Sequence, residues 1–428
     1  MTRSYTDLAE TVGPLIAAAM LERESDWESV ESADRRVFRV LMMCGLVAVR
    51  LILAALAEQF ESEAKEEGFT GERRSTVGWM TLFGVVDVVS VYLRKPGERD
   101  GRRPMKERLG VTGGGQTAAV ERALTDFGID ESFGAAAVKF EEHYGIEVHR
   151  TTIRRTVFRL ARGAGAFIAE RLSGALATPS PHQVLVQADG ANAPMVVLER
   201  VLGGFTRTGR PKYNKTCSYR EVRLGFAVPD DSDAPTYVAQ VGDIGRFATT
   251  LALAAGHRGA EKAQLTYAVT DGGNGLRERF ENALDLDVYI LDKRHCRTHL
   301  LATATAMKVS DPEAKAKEWL EQLSQGGVAS VIEELDLYRS NPTAPGAERA
   351  RQLRNHLTRF EDAVNYDDFI DQGLVVGSGE VESGHRHVTQ RRLKIAGAWW
   401  AEENIEPIVA LRCIRANGWW GEFCRQAA

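Results

Sequence analysis

The chain has 428 residues, of which 44% are hydrophobic and 26% charged, and its formal net charge is −5. This length is enough for two or three domains with buried cores. The slightly acidic balance excludes a uniformly basic protein, so any surface for nucleic acid must be local. The five cysteines contain no CxxC pair. Such a pattern is typical of a reducing compartment, and we expect a cytoplasmic protein.

Residues 1–73 predict an N-terminal helical region with one long helix over about 33–66. The N-terminus lacks the apolar segment of a secretory leader. Arg39 and Arg50 interrupt the apolar run 37–57. We therefore expect neither secretion nor a membrane span.

Apolar residues recur every seven positions along this long helix. The two series are Val37, Cys44 and Leu51, and Leu41, Ala48 and Ala55. Such a repeat predicts a seam against another helix. Only about three heptads are present, which favours a packed bundle within the chain, while a homo-oligomer that uses the seam stays open.

Residues 74–110 predict a small β-hairpin and a linker, because β-branched and aromatic residues give way to KPGERDGRRP. Residues 111–176 predict a helix-turn-helix DNA-binding domain, with a helix from Phe133, a turn at 144–146 and a second helix from about Arg150. The second helix carries five arginines and no acid over thirteen positions: Arg150, Arg154, Arg155, Arg159 and Arg162. This charge favours DNA recognition, although an amphipathic helix pair in a bundle would share most of the pattern.

Five short apolar runs follow, and they predict strands over 184–189, 221–227, 237–241, 265–271 and 288–292. Loops join the first three strands, whereas helices precede the last two. This order predicts an α/β ribonuclease-H-like core, a mixed five-stranded sheet with flanking helices. We assign its first part to 182–305, a helical insertion to 306–369, and its C-terminal helices to 370–428.

Acidic residues stand where the predicted strands leave the sheet. Asp189 ends the first strand and Asp271 ends the fourth, and open α/β sheets bind ligands at this edge. A helix that begins near Gly379 carries Glu382, which would complete a cluster of three carboxylates. Glu380, two positions earlier, points elsewhere. Hard oxygen ligands in this number suit two Mg²⁺ or Mn²⁺ ions, which catalyse in-line phosphoryl transfer.

The same helix predicts a basic surface. Arg391, Arg392 and Lys394 follow one another closely without a compensating acid, so we expect them to contact DNA phosphates. At helical spacing Glu382 shares its side with four residues: His385, Arg386, Thr389 and Leu393.

Two further patterns allow alternatives. Asp292, His295, Cys296 and His299 could form a structural zinc site, although His295 and Cys296 point to different faces of a helix. The pairs Trp399-Trp400 and Trp419-Trp420 are typical of a core or an interface, and stacking on an unpaired DNA base is the sharper alternative.

Four segments in order carry a family resemblance: QADG, VTDGGNG, ILDKRHCRTHL and GSGEVESGHRHVTQRRLKIAGAWW. Together they resemble the DDE transposases of bacterial insertion sequences, and most closely the ISKra-type branch. The resemblance extends from about Arg103 to the C-terminal ANGWW, and it is less specific over the first hundred residues or so.

The resemblance implies a function and roles for individual residues. Asp189, Asp271 and Glu382 match the family's metal-binding catalytic triad, and Asp292 and His295 match its D-x-x-H signature. The family's activity would be metal-dependent cleavage at the ends of an insertion sequence and joining of a 3′-hydroxyl to target DNA. The partners would be terminal inverted repeats and target DNA, in the cytoplasm at the nucleoid.

Two alternatives share much of this pattern. A transposase-derived DNA-binding protein without catalysis would keep the helix-turn-helix but would not need all three acids. A metal-dependent, structure-specific nuclease of the same fold would keep the acids without strand transfer.

Overall fold

A computed structural model describes residues 5–23, 29–97, 99–174, 180–273 and 275–427. The chain divides into two compact units, each described by itself. The first comprises Met1–Ala123 with Glu141–Ile146, and the second comprises Leu124–Phe140 with Glu147–Ala428.

The first unit combines helices with a small sheet. Its elements are α1 (Tyr5–Arg23), α2 (Val30–Glu66), β1 (Thr70–Thr81), β2 (Gly84–Arg94), β3 (Gly101–Arg102), α3 (Pro104–Leu109) and β4 (Gly115–Gln116). The strands lie in the order β3-β2-β1-β4, and β1 and β2 form the antiparallel hairpin. Ser29 and Ser32 begin α2 with reciprocal side-chain hydrogen bonds, which satisfy two otherwise unpaired N–H groups.

One face of α2 packs on this hairpin. Ala57 is buried with Val88, Met105 and Val111. A Cβ built at Gly45 would lie 2.4 Å from the ring of Phe83, so a larger residue would displace that ring where the helix meets the hairpin turn.

The heptad seam lies on another face of α2. Val37, Leu41 and Leu51 are 38%, 48% and 61% exposed, and Cys44 is also exposed. In the described residues of this unit the seam faces solvent, so the predicted bundle within the chain does not form there.

The helix Val30–Glu66 also contains an 18-residue window with a mean hydropathy of 2.5, of which 6% is buried. Among the described residues it is the one helix that is long and apolar enough to cross a membrane by length and composition. Arg39 and Arg50 therefore do not exclude a span by composition, contrary to the sequence-based expectation. Core helices of soluble proteins and leader sequences meet the same criterion.

The second unit is built on one sheet. Its strands are β5 (Gln183–Phe205), β6 (Pro211–Pro229), β7 (Thr236–Val241), β8 (Leu265–Thr270) and β9 (Val288–Leu291). Their order is β7-β6-β5-β8-β9, with β7, β6 and β5 antiparallel and β5, β8 and β9 parallel. The five predicted strands are therefore present in a mixed sheet.

Helices flank this sheet and follow it. Shared between the units are α4 (Ala118–Asp130) and α5 (Phe133–Tyr144). Near the sheet lie α6 (Arg150–Ser173), α7 (Ile244–His257), α8 (Leu276–Ala283) and α9 (Lys293–Ala306). The later helices are α10 (Pro312–Ser324), α11 (Val328–Arg339), α12 (Ala347–Arg359), α13 (Tyr366–Asp371), α14 (Gly379–Gly384), α15 (Arg391–Leu393), α16 (Ile405–Ala416) and α17 (Trp420–Gln426).

Two elements extend further than the sequence predicts. The strand predicted to end at Asp189 continues to Phe205, because β6 pairs with it residue for residue as far as Arg200. The helix that begins at Gly379 widens to π-type over His385–Gln390 before α15. Such π segments are frequent at functional sites.

The arginine-bearing helix α6 belongs to the second unit and packs on α7 and α16. Its inner residues Ile153, Val157 and Leu160 are buried, whereas its arginines at 150, 154, 155, 159 and 162 are exposed. The helix is therefore amphipathic, with its basic side toward solvent.

Candidate functional site

Three aspartates meet at one edge of the sheet. Asp189 lies one residue beyond Ala188, where the parallel pairing of β5 with β8 ends. Asp271 and Asp292 directly follow β8 and β9. Parallel strands place their carboxyl ends at the same edge, so these side chains share the position where open α/β sheets bind ligands.

Asp189 and Asp271 line one small cavity of about 60 Å³ together with Glu221 and Arg223. Glu221 and Arg223 lie on β6, and Arg223 pairs there with Gly190 of β5. A Cβ on Gly190 would lie 2.6 Å from a carboxylate oxygen of Glu221, so glycine leaves room for that side chain. Sequence reasoning missed Glu221 and Arg223, because a charged pair in a predicted strand does not indicate a site by itself.

The Asp189 carboxyl is electrostatically strained. Its burial raises the pKa, and the charge of Asp271 raises it further, whereas His385, the Gly190 N–H and His295 oppose the shift. A cation beside the Asp189 carboxylate would offset the cost of its burial and its repulsion by Asp271. The pair is therefore suited to hold a positively charged partner.

His385 supports Asp189 from the helix that carries Glu382. Its Nε2 lies 2.9 Å from the carbonyl oxygen of Asp189, which can only accept, so Nε2 carries the proton. Its Nδ1 lies 2.9 Å from the Thr389 hydroxyl oxygen, and that hydroxyl donates to the His385 carbonyl oxygen at 3.1 Å. Burial lowers the pKa of His385. The imidazole thus holds the Asp189 backbone beside the cavity.

Asp292 is a buried anchor and not a free ligand. One carboxylate oxygen accepts from the backbone N–H of His295 at 2.5 Å and from its Nδ1 at 3.0 Å, and the other accepts from Ser378 N–H. Burial alone would raise the pKa of Asp292, but these hydrogen bonds outweigh burial and lower it to about 2. The bond with Asp292 also raises the pKa of His295. Asp292 therefore joins α9 to the loop before Glu382.

Gln187 ties the same loop to the sheet. It is fully buried on β5, its Nε2 donates to Gly377 O at 2.9 Å, and its Oε1 accepts from Val381 N–H at 3.2 Å. Sequence reasoning missed this residue as well. The available signal was a polar side chain inside the apolar run VLVQAD, since a buried amide requires partners.

Glu382 and Glu380 point in different directions, as predicted. Glu382 Oε2 lies 3.6 Å from an Arg294 guanidinium nitrogen. Glu380 lines a separate cavity with Tyr237 and Tyr267. Among the described residues no group of three or more His, Cys, Asp or Glu side chains is arranged to hold a metal ion. The predicted cluster of three carboxylates is therefore not assembled, since Glu382 contacts Arg294 and does not line the 60 Å³ cavity.

One predicted DNA contact is buried. Arg392 is 3% exposed, donates from Nε to Gly128 O at 2.9 Å, and stacks at 4.7 Å on the rings of Phe133 and Trp400. It cannot reach phosphates, and burial lowers its pKa to about 10. The prediction that Arg392 contacts DNA was wrong, because a run of basic residues in the sequence does not show which of them are exposed and which are buried.

The other predicted cations of this helix are accessible. Arg391 and Lys394 are exposed, and Arg391 lies 3.6 Å from Asp130. Arg386, predicted to share a side with His385, is exposed while His385 is buried. The π-type widening shifts the side-chain register there.

The zinc alternative lacks the required convergence. Cys296 is buried with its pKa raised to about 11 by burial, whereas the His295 side chain is 37% exposed. His299 contacts Arg349 instead, at 3.4 Å. A zinc-bound thiol must be deprotonated, which this burial opposes.

No protein-family model matches the chain, and no curated protein matches it. Among solved structures, the chain is similar to the Drosophila P element transposase strand transfer complex at 9% identity and a TM-score of 0.26. The match covers 75% of this chain and 82% of that chain. A TM-score this low establishes neither a shared fold nor a shared activity.

Proposed function

We propose that the chain is a DNA transposase with a ribonuclease-H-like core, which cleaves and joins DNA strands by metal-dependent phosphoryl transfer. The observation that supports this most is the pairing of Asp189 with Asp271 in one cavity at the carboxyl edge of a mixed sheet. Burial of the Asp189 carboxylate and, to a smaller extent, the charge of Asp271 disfavour its ionised form, and a bound cation would offset both.

The oxygen donors of this edge suit Mg²⁺ or Mn²⁺. Asp189 and Asp271 would hold the ions, with Glu382 as a third ligand once it leaves Arg294. Two bound metal ions would supply Lewis acidity and would activate a water or a 3′-hydroxyl as the nucleophile. The chain's own residues position this site: His385 fixes the Asp189 backbone, while Asp292 and Gln187 hold the loop that leads to Glu382.

Two other functions stay as alternatives: a transposase-derived DNA-binding protein without catalysis, and a structure-specific nuclease. The DNA that flanks the reading frame distinguishes them from a transposase. Imperfect inverted repeats bounded by a short target duplication support transposition. A single undisturbed locus supports a cytoplasmic, nucleoid-associated regulator.

We expect the exposed side of α6 to bind element ends through phosphates. Replacing Arg154 and Arg155 together with alanine should weaken binding of terminal duplex DNA and lower the log–log salt slope by up to about two units. Fluorescence anisotropy at several salt concentrations measures both. Arg351→Ala is the control, since Arg351 is an exposed arginine bonded to Glu348 on α12. If the double variant binds like the parent at every salt concentration, α6 does not contact the DNA.

We expect His295 to act as a positioning residue. His295→Ala should slow strand cleavage about ten- to a hundredfold with little change in Mg²⁺ requirement. His295→Asn can still donate to Asp292 and should recover part of the rate. If His295→Asn cleaves as slowly as His295→Ala, the hydrogen bond to Asp292 is not the reason that His295 supports cleavage.

We also propose that two copies associate through the exposed seam of α2. In a parallel coiled coil each seam residue faces its own copy, so Cys44 of two chains would be adjacent. Mild oxidation of full-length protein should give a covalent dimer that Cys44→Ser abolishes. A monomer by sedimentation, or a chain recovered with membranes, would contradict the proposal.

A further inference from the structure

Beyond the sheet, β5 and β6 continue as a two-stranded ribbon over residues 192–220. The ladder runs without interruption from Asn192 opposite Glu221 to Arg200 opposite Tyr213. The ribbon exposes large apolar side chains to solvent: Leu202 is 93% exposed and Phe205 is 61% exposed. A two-stranded ribbon buries too little surface to be stable alone, and exposed apolar groups of this size mark a binding surface.

The register sorts the ribbon's side chains onto two faces, because directly paired residues lie on the same side. One face, here called the aromatic face, consists of the pairs Pro194–Tyr219, Val196–Cys217, Leu198–Lys215 and Arg200–Tyr213. The opposite face carries Val197–Thr216 and Glu199–Asn214.

Trp399 completes the aromatic face. The backbone of Trp400 pairs with the edge of β5, donating to Pro194 O at 3.1 Å and accepting from Val196 N–H at 2.8 Å. This pairing places the Trp399 ring 6.3 Å from the Tyr219 ring, with Lys215 Nζ 5.1 Å from its centroid. Trp399 and Tyr219 are 37% and 68% exposed, so both rings are accessible to a ligand.

Charge separates the two faces as well. Over residues 192–220 the sequence has six cations and one acid, Glu199. Glu199 lies opposite the aromatic face, and Arg220 is neutralised by Glu402 at 2.9 Å. Arg200 and Lys215 lie on the aromatic face among three aromatic rings. Glu221, which the register places on the same side beyond Tyr219, is bonded to Arg223. Aromatic rings beside cations are the usual surface for stacked bases and their phosphates.

We propose that the aromatic face binds unpaired bases of DNA beside the cleavage site, an inference that rests on the proposed function for its substrate. Stacking requires an open base face, which a paired and stacked duplex does not present. Pro194, opposite Tyr219, lies about 17 Å along β5 from Asp189. Alternation directs Asp189 to the other side of the strand, but the cavity that it lines also contains Glu221, which the register places on the side of the aromatic face, two residues from Tyr219. A strand with a phosphate at Asp189 could therefore place neighbouring unpaired bases on Tyr219 and Trp399.

The test measures binding of fluorescein-labelled oligothymidine to full-length protein in EDTA, where no cleavage occurs. Tyr219→Ala and Trp399→Ala should each weaken binding about ten- to a hundredfold, whereas Tyr219→Phe and Trp399→Phe should retain most of it. Lys215→Ala should lower the salt slope by about 0.7. Thr216→Ala, on the opposite face of the same strand, is the matched control and should bind like the parent.

Three results would overturn the inference: a parent that does not bind the oligonucleotide, alanine variants that bind like the parent, or variants that change the oligomeric state and leave DNA binding intact. The last would assign the face to a second copy of the chain. Because the measurement needs no metal, its outcome is independent of cleavage. Asp271→Asn should bind the oligonucleotide normally even though it fails to cut.

Discussion

Glu382→Gln is expected to lower Mg²⁺-dependent cleavage by more than about a thousandfold, while the protein still folds and binds DNA. The amide keeps the shape of the side chain but loses the charge that a third metal ligand requires. Because the ion pair of Glu382 with Arg294 spans 3.6 Å and Arg294 is exposed, its loss should change stability little.

Glu380→Gln is the matched control for this prediction. Glu380 stands two residues earlier on the same helix and lines the cavity with Tyr237 and Tyr267. It should retain most of the activity in the same nicking assay. The reverse result, with Glu380 essential and Glu382 dispensable, would refute the assignment of Glu382.

Asp189→Asn should abolish cleavage without lowering the midpoint of thermal unfolding. The raised pKa of Asp189 means that the folded state disfavours its charge, so its unfavourable contribution is present at neutral pH and is relieved as the pH falls. Asparagine can still accept from Gly190 N–H, the contact that Asp189 Oδ1 makes at 2.7 Å. A site retained for activity at a cost in stability has this signature.

Asp292→Asn should have the opposite effect on stability in the same thermal unfolding measurement. The pKa of Asp292 is about 2 against a reference of 3.8, so its stabilising effect is present at neutral pH and is lost as the pH falls through about 2. Its replacement should destabilise the protein by about 2 kcal/mol. If Asp189→Asn destabilises as much as Asp292→Asn, the Asp189 carboxylate is a structural group.

The sheet could be predicted because the sequence patterns of its strands are local. Strand alternation and the intervening helices placed all five strands and their order, and Asp189 and Asp271 followed from where the apolar runs stop. The ribbon could not be predicted in this way, since Gly190, Asn192 and Pro194 resemble a turn. The cross-strand pairing with β6 and the backbone hydrogen bonds with Trp400 keep that segment extended.

Other features of the site depend on long-range contacts. Gln187 binds Gly377 and Val381, which are nearly two hundred residues away, and no spacing rule connects them. The burial of Arg392 depends on Phe133 and Gly128 in the same manner. Sequence patterns indicate which residues carry chemistry, whereas tertiary packing decides which of them reach the site.

The most direct test of metal-dependent catalysis is the metal preference of Asp271→Cys in a nicking assay on DNA that flanks the reading frame. A thiolate is a poor ligand for Mg²⁺ but binds softer ions better. We predict that the variant is inactive in Mg²⁺ and regains cleavage in Mn²⁺, with a Mn²⁺-to-Mg²⁺ rate ratio well above that of the parent. Equal cleavage by Asp271→Cys in both metals, or cleavage by the parent in EDTA, would contradict a metal bound at Asp271.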